Sequence, residues 1–178
     1  MIVQARANTY SWAFVRFKFG QAVKILRKFI REIINLDRPV DPSAYGENHV
    51  GAGIIVVKYF NSDWKILVLL ADDGYDFPKG TAEPGESALD TALRETQEEC
   101  GVSELDFQWG MDTIDLDGLS MFLAATTQEP RVRPNPESGI LEHLGAEWMD
   151  WATAANGIYL YLLPAIIWAK RRVEERSQ

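Results

Sequence analysis

The sequence predicts an α/β (α+β layered) domain with a mixed sheet, and three observations carry that prediction. Two runs dense in branched apolar residues, Gly51–Val57 and Ile66–Leu70, flank the turn residues Asn61-Ser62-Asp63. A stretch with apolar residues at helical spacing, Ser87 to Cys100, follows a loop rich in Gly and Pro. A second pair of extended runs meets at Asp117-Gly118 and leads to a C-terminal helical pattern. Strand, strand, helix, strand, strand, helix is the order of a layered domain in which helices cover a sheet.

Residues 1–17 mix polar and aromatic side chains without clear periodicity. From Lys18 to Asn35, Val23, Leu26, Phe29, Ile30, Ile33 and Ile34 recur at spacings of three and four, with Lys24, Lys28 and Arg31 on another face. This predicts a cationic amphipathic helix, stopped by Asp37-Arg38-Pro39 and Asp41-Pro42-Ser43. The main domain begins near His49, which divides the chain into a basic helical extension, 1–45, and a main domain, 46–178. Gly51–Val57 reads as a buried strand and Trp64–Ala71 as a second, broken by Asp72-Asp73-Gly74. Tyr75–Glu86 is expected as an ordered loop, and Gly101 stands where a helix from Ser87 to Cys100 would be capped. Leu105–Asp115 and Leu119–Thr126 read as strands joined by a hairpin at Asp117-Gly118. Gln128–Ser138, with three prolines, reads as a long loop and Gly145–Met149 as a short strand. Ala152–Asn156 reads as a short helix, and a last helix is expected from near Tyr159 to Glu175, with Pro164 close to its start or kinking it.

The composition narrows the function classes. The 178 residues suffice for one domain and an appendage, and 47% hydrophobic with 25% charged residues excludes disordered or fibrous chains. One cysteine, Cys100, excludes a disulfide framework and a multi-Cys metal site, and two histidines exclude a His-rich one. The longest apolar candidate, Ile158–Ala169, is too short to span a bilayer, and the N-terminus lacks a signal-peptide pattern. The expectation is a soluble protein, cytoplasmic or otherwise intracellular, without integral membrane association. Residues 1–38 hold eight Lys/Arg against two Asp/Glu, whereas residues 39–178 hold ten against 24. An acidic body repels polyanions unless divalent cations intervene. The basic helix could bury its stripe on the main domain or between the subunits of a homodimer, or lie on a membrane surface.

The informative stretch is Gly80–Val102, GTAEPGESALDTALRETQEECGV. Glu95 stands three residues before Glu98 and four before Glu99, so the carboxylates share one side of a helix and repel one another. Near the C-terminal end the helix dipole adds to that cost. A solvated acidic face is one reading. The other is a hard divalent cation with oxygen ligands, Mg²⁺ or Mn²⁺. Phe77-Pro78-Lys79-Gly80 favours the second: Gly80 lets a backbone carbonyl approach a metal, and Lys79 offers a point charge to a phosphate oxygen. Cys100 neighbours the carboxylates, but their charge disfavours a thiolate and its spacing to Leu93 and Thr96 points inward.

The stretch resembles the signature of the Nudix hydrolases, G-x5-E-x7-R-E-U-x-E-E-x-G-U with U usually aliphatic. The matches are Gly80, Glu86, Arg94, Glu95, Glu98, Glu99, Gly101 and Val102, and Thr96 stands at the first U. The resemblance implies a Nudix-like αβα sandwich with a mixed sheet and hydrolysis of nucleoside diphosphates linked to another moiety, using Mg²⁺ or Mn²⁺. It implies Glu98 and Glu99 as core metal ligands, helped by Glu95 and the Gly80 carbonyl, with Glu95 or a distal carboxylate as general base. Arg94, within the catalytic set, would brace loop against helix by pairing with Glu86.

Phe77–Glu86 and Ala92–Glu99, together with Glu142-His143 ahead of Trp148, are similar to the asymmetric diadenosine tetraphosphate hydrolases of that family. This implies Glu142 as the distal carboxylate near the metals and His143 as a phosphate contact. Tyr75, Phe77 and Tyr45 are candidates for stacking on adenine. Asymmetric cleavage of diadenosine tetraphosphate to ATP and AMP is the leading expectation. The alternatives are pyrophosphate or cap removal from an RNA 5′ end, with the basic segment holding the backbone, cleavage of a nucleotide sugar or modified nucleotide, and a non-catalytic nucleotide-binding regulatory domain.

Overall fold

The computed structural model describes residues 50–135 and 139–176. The predicted amphipathic helix Lys18–Asn35, the division near residue 45, and Tyr45 itself lie outside the described residues.

A mixed sheet forms the centre. β1 (Gly51–Phe60) and β2 (Asp63–Ala71) pair antiparallel across a two-residue turn in which Asn61 and Ser62 have φ of 42° and 88°. β3 (Gly74–Asp76) pairs antiparallel with β2, and β4 (Lys79–Thr81) pairs antiparallel with β1. After a helix, α1 (Ala88–Cys100), the chain returns through β5 (Ile114–Asp115) and β6 (Leu119–Ala125). β6 runs parallel to β1, from Gly51 opposite Leu119 to Val57 opposite Ala125. β7 (Gly145–Met149) pairs antiparallel with β2. The main path is β3-β2-β1-β6-β5, with β4 and β7 joined to β1 and β2. The chain closes with α2 (Trp151–Gly157), a 3₁₀ turn (Leu160–Leu162) and α3 (Leu163–Arg176).

The period-two pleat divides β1 between two cores. Ile54 and Val56 join Leu67, Leu69, Phe122 and Ala124 against Ala92 and Cys100 of α1. Ile55 and Val57 join Ile66, Val68, Met121 and Leu123 against Ala154 of α2 and Leu162, Ile166, Ala169 and Val173. Helices therefore cover both faces, and a central strand buried on both sides reads as the continuous apolar run seen in the sequence.

Three expectations are corrected. Tyr75–Glu86 holds two residues of β3 and all of β4, strands too short for a periodic signal, where a loop was expected. The strand expected over Leu105–Asp115 contracts to one bridge, Asp106 with Ala125, and the two residues of β5. Between them the Gly110 amide donates to the Phe107 carbonyl at 2.9 Å with Gly110 at φ 97°, so the backbone turns instead of extending. The last helix begins at Leu163, four residues later than expected, with Pro164 in its first turn. There the missing N–H has no helical acceptor to lose. The Asp117-Gly118 hairpin forms with both residues at positive φ, 58° and 89°.

Candidate active site

α1 starts at a capping box. The Ser87 hydroxyl accepts from the Asp90 amide at 3.2 Å, and Asp90 accepts from the Ser87 amide at 3.2 Å. It ends at Gly101, φ 69°, whose amide donates to the Gln97 carbonyl at 2.9 Å. Thr91, Ala92, Thr96 and Cys100 are buried, and Arg94, Glu95, Glu98 and Glu99 are half-buried along the edge of that face. Thr96 satisfies its hydroxyl within the helix by donating to the Ala92 carbonyl at 2.7 Å, so it fills a buried position meant for an aliphatic residue.

Arg94 ties the preceding loop to this face. Its Nε and Nη2 donate to the two Glu86 oxygens at 2.8 and 3.0 Å, and Nη2 also donates to the Thr81 carbonyl at 2.9 Å. Nη1 donates to Glu95 Oε1 at 2.8 Å and Glu98 Oε2 at 3.3 Å. Glu86 accepts in addition from the Glu83 amide and the Thr91 hydroxyl, each at 2.9 Å. The Arg94 hydrogen bond first, then the Glu83 amide, bring the Glu86 carboxyl down to about 2. The two residues thus tie the loop to the helix.

Glu95, Glu98 and Glu99 line one narrow cleft with Glu142, His143, Val132, Arg133 and Asn135. Glu142 Oε1 accepts from Asn135 Nδ2 at 2.9 Å. Glu99 Oε2 accepts from the Lys79 amide at 2.9 Å, and His143 Nδ1 lies 3.9 Å from Glu99 Oε1. Burial pushes the Glu99 carboxyl up to about 7, although the Lys79 amide and His143 act against it. Burial also raises Glu95, opposed by Arg94 and reinforced by Glu98 and Glu142. The Glu95 carboxylate lies against the backbone of Gly80, where an added Cβ would collide with it. Among the described residues, no three acidic, His or Cys side chains converge into a formed metal cage. The donor set nevertheless fits Mg²⁺ or Mn²⁺: hard carboxylate oxygens that burial leaves short of positive charge, beside a glycine backbone they reach closely.

The remaining sequence candidates are placed as follows. The Lys79 ammonium is bonded to Asp76 Oδ2 at 2.8 Å, and His143 Nε2 lies 4.0 Å from the same oxygen, a charge contact longer than a hydrogen bond. Burial would raise Asp76 and lower Lys79, but each other's charge, with His143 acting on Asp76, wins in both. Asp76 likewise draws His143 upward against its burial, and Glu99 adds to this. Phe77 is fully buried in the core, so its ring presents no face to a base. Tyr75 is half-buried, with its ring closing on Gly157 and its backbone bridging Ile158. Tyr161, which sequence reasoning missed, is 50% exposed, stacks with Tyr159 at a centroid distance of 6.3 Å, and interacts with Lys79. Asp76, Arg133 and Asn135 were missed as well. Only the Asp76-to-Lys79 spacing could have signalled one of them.

The family model described as NUDIX domain matches residues 48–167, more than half of the chain, and the chain belongs to the Nudix hydrolase family. Over 51 residues the chain is 47% identical to the bis(5′-nucleosyl)-tetraphosphatase (asymmetrical) of Rattus norvegicus, covering 27% of this chain and 35% of that protein. The match thus spans about a third of the length of that relative. Among solved structures, a putative Nudix hydrolase from Listeria monocytogenes superposes with a TM-score of 0.58 at 18% identity, over 71% of this chain and 94% of that one. A C. elegans Ap4A hydrolase binary complex gives 0.52 at 18% identity, over 70% and 94%. These likenesses concern the fold alone. Among the described residues no helix is long and apolar enough to cross a membrane.

Proposed function

We propose that the protein hydrolyses a nucleoside diphosphate linkage with the help of Mg²⁺ or Mn²⁺, and that its substrate is diadenosine tetraphosphate, cleaved asymmetrically to ATP and AMP. The observation that carries the chemistry is the meeting of Glu95, Glu98 and Glu99 with Glu142 and His143 in one cleft. The substrate rests on the 51-residue similarity to an asymmetric bis(5′-nucleosyl)-tetraphosphatase.

Glu98 and Glu99 would hold the metal, with Glu95, Glu142 and the Gly80 carbonyl completing the oxygen donors. When bound, the cation supplies neutralisation of the diphosphate and Lewis-acid activation of a water. Arg94 orients Glu95 and Glu98 through its Nη1 hydrogen bonds. Glu142, on the loop side, or Glu95 accepts the proton of the attacking water. His143, drawn toward its charged form by Asp76 and Glu99, faces a phosphate oxygen. Lys79 sets Asp76 beside His143, and the neighbouring half-exposed Tyr161 offers an aromatic face to a nucleobase.

Attack at a terminal phosphorus gives ATP and AMP, whereas attack at the centre gives two ADP. Early products separated after reaction in ¹⁸O water identify both the split and the labelled phosphorus. ATP with AMP is expected. Two ADP would reject the asymmetric reaction. Inert dinucleotide with turnover of triphosphorylated RNA or a nucleotide sugar would move the substrate while leaving the site chemistry in place.

A further inference from the structure

The cleft collects four carboxylates, Glu95, Glu98, Glu99 and Glu142, yet it must admit a polyanion. Metal ions answer for the phosphates seated on the carboxylates. They leave the rest of a polyphosphate facing an acidic wall. The two cations prominent in the sequence are already engaged. Lys79 is held by Asp76 at 2.8 Å, and Arg94 by Glu86, Glu95 and Glu98, and neither side chain lines the cleft.

Arg133 does line it. Among the described residues its side chain has no ion pair or hydrogen-bond partner, although four carboxylates border the same cleft. An arginine serving the fold would pair with one of them. The backbone that presents it is nevertheless fixed. The Arg131 amide donates to the Cys100 carbonyl at the end of α1 at 2.7 Å, and Val132 packs against the apolar cluster beneath α1. Pro134 restricts the next peptide. Beyond it, the Asn135 amide donates to the Ile140 carbonyl at 2.8 Å, and its side chain donates to Glu142 at 2.9 Å. A held backbone with a free guanidinium is an arrangement pre-organised for an external anion, since no internal pair must break on binding. The planar fork matches two phosphoryl oxygens at once.

We propose that Arg133 is a phosphate-binding residue of the cleft, which grips the part of the substrate's polyphosphate lying off the metal-bearing carboxylates and so favours tri- and tetraphosphates over diphosphates. This rests on the nucleoside polyphosphate reading above, but its test does not need the nucleoside. Inorganic tripolyphosphate is titrated calorimetrically into the full chain with Mg²⁺ in excess, for wild type, R133A, R133K and the neighbouring R131A. Removal of a bidentate charge-assisted contact should weaken binding about 10- to 100-fold in R133A. R133K should fall in between, and R131A should bind within about 2-fold of wild type because a screened surface charge has little effect. Melting curves of R133A and wild type should coincide, because no folded contact is lost. With a hydrolysed substrate, KM should rise by a similar factor while kcat changes little. Equal affinity of R133A and wild type, an equal loss in R131A, or no tripolyphosphate binding by wild type would overturn the proposal. If diadenosine tetraphosphate is inert and R133A still loses tripolyphosphate, the substrate reading fails and Arg133 keeps its role. If the dinucleotide is cleaved with unchanged KM in R133A, the reverse holds.

Discussion

Glu99 illustrates how a site residue works against its own fold. Its carboxyl is raised to about 7 from a usual 4.5 by burial. A raised acid favours the folded state fully below the unfolded value, and that contribution is lost as pH climbs through the folded value. Metal-free protein should therefore lose stability between about pH 4.5 and 7 and stay low above it. E99Q removes the ionisation while keeping an oxygen for the Lys79 amide. In EDTA at pH 8 it should melt a few degrees above wild type, with the gap closing near pH 4; a lower melting point at pH 8 would contradict the burial argument. Glu98 tests function instead. E98Q should lower turnover at least ~100-fold at saturating Mg²⁺, as expected for loss of a charge holding a catalytic metal. Steady-state kinetics at wild-type rates would remove Glu98 from the site. At this scale the sequence is legible where the chemistry is local: Glu95, Glu98, Glu99 and Arg94 lie within one helical turn and a half. Asp76, Arg133 and Tyr161 belong to separate segments, and only tertiary pairing brings them to the same place.

Elements differ in how much of their cause is local. α1 announces itself through its period, its Ser87 cap and its Gly101 terminus, all contained in the stretch itself. The cap is open to test: S87A should cost about 1 kcal/mol by leaving the Asp90 amide without its hydroxyl acceptor, while the residue-87 amide keeps its bond to the Asp90 carboxylate. In a domain of this size that is a drop of roughly 2–4 °C in thermal unfolding. An unchanged Tm would mean the first turn is held by Glu86 and Thr91 alone. β3 and β4 were not legible because three residues carry no period. Their pairing is imposed by neighbours: β3 by β2, β4 by β1. The run 105–113 misled for the opposite reason. Leu105 and Phe107 alternate like a strand, yet they pack onto the apolar cluster beneath α1 while the Gly110 turn interrupts pairing.

For the whole molecule, a cation held by the acidic cleft would couple its binding to folding. A ligand bound only by the native state stabilises it by mass action. Mg²⁺ should therefore raise the melting temperature of wild type in a concentration-dependent way, and E98Q should show a smaller rise. Scans across a Mg²⁺ series at constant ionic strength check this, and an identical response in both proteins would place the ions elsewhere. The parallel pairing of β1 with β6 has a further consequence in time. Those strands cannot meet until the chain between Gly51 and Leu119 has crossed over, and α1 is the helical part of that crossing. Closing so distant a contact is slow because chain entropy is lost before the contact repays it. Gly80 lies before α1 and Glu142 after β6, so the carboxylates of α1 meet Glu142 and His143 only once the chain has passed β6 and turned back toward β7. The complete cleft therefore belongs to the finished fold, because its lining comes from α1 and from the separate segments 132–135 and 142–143.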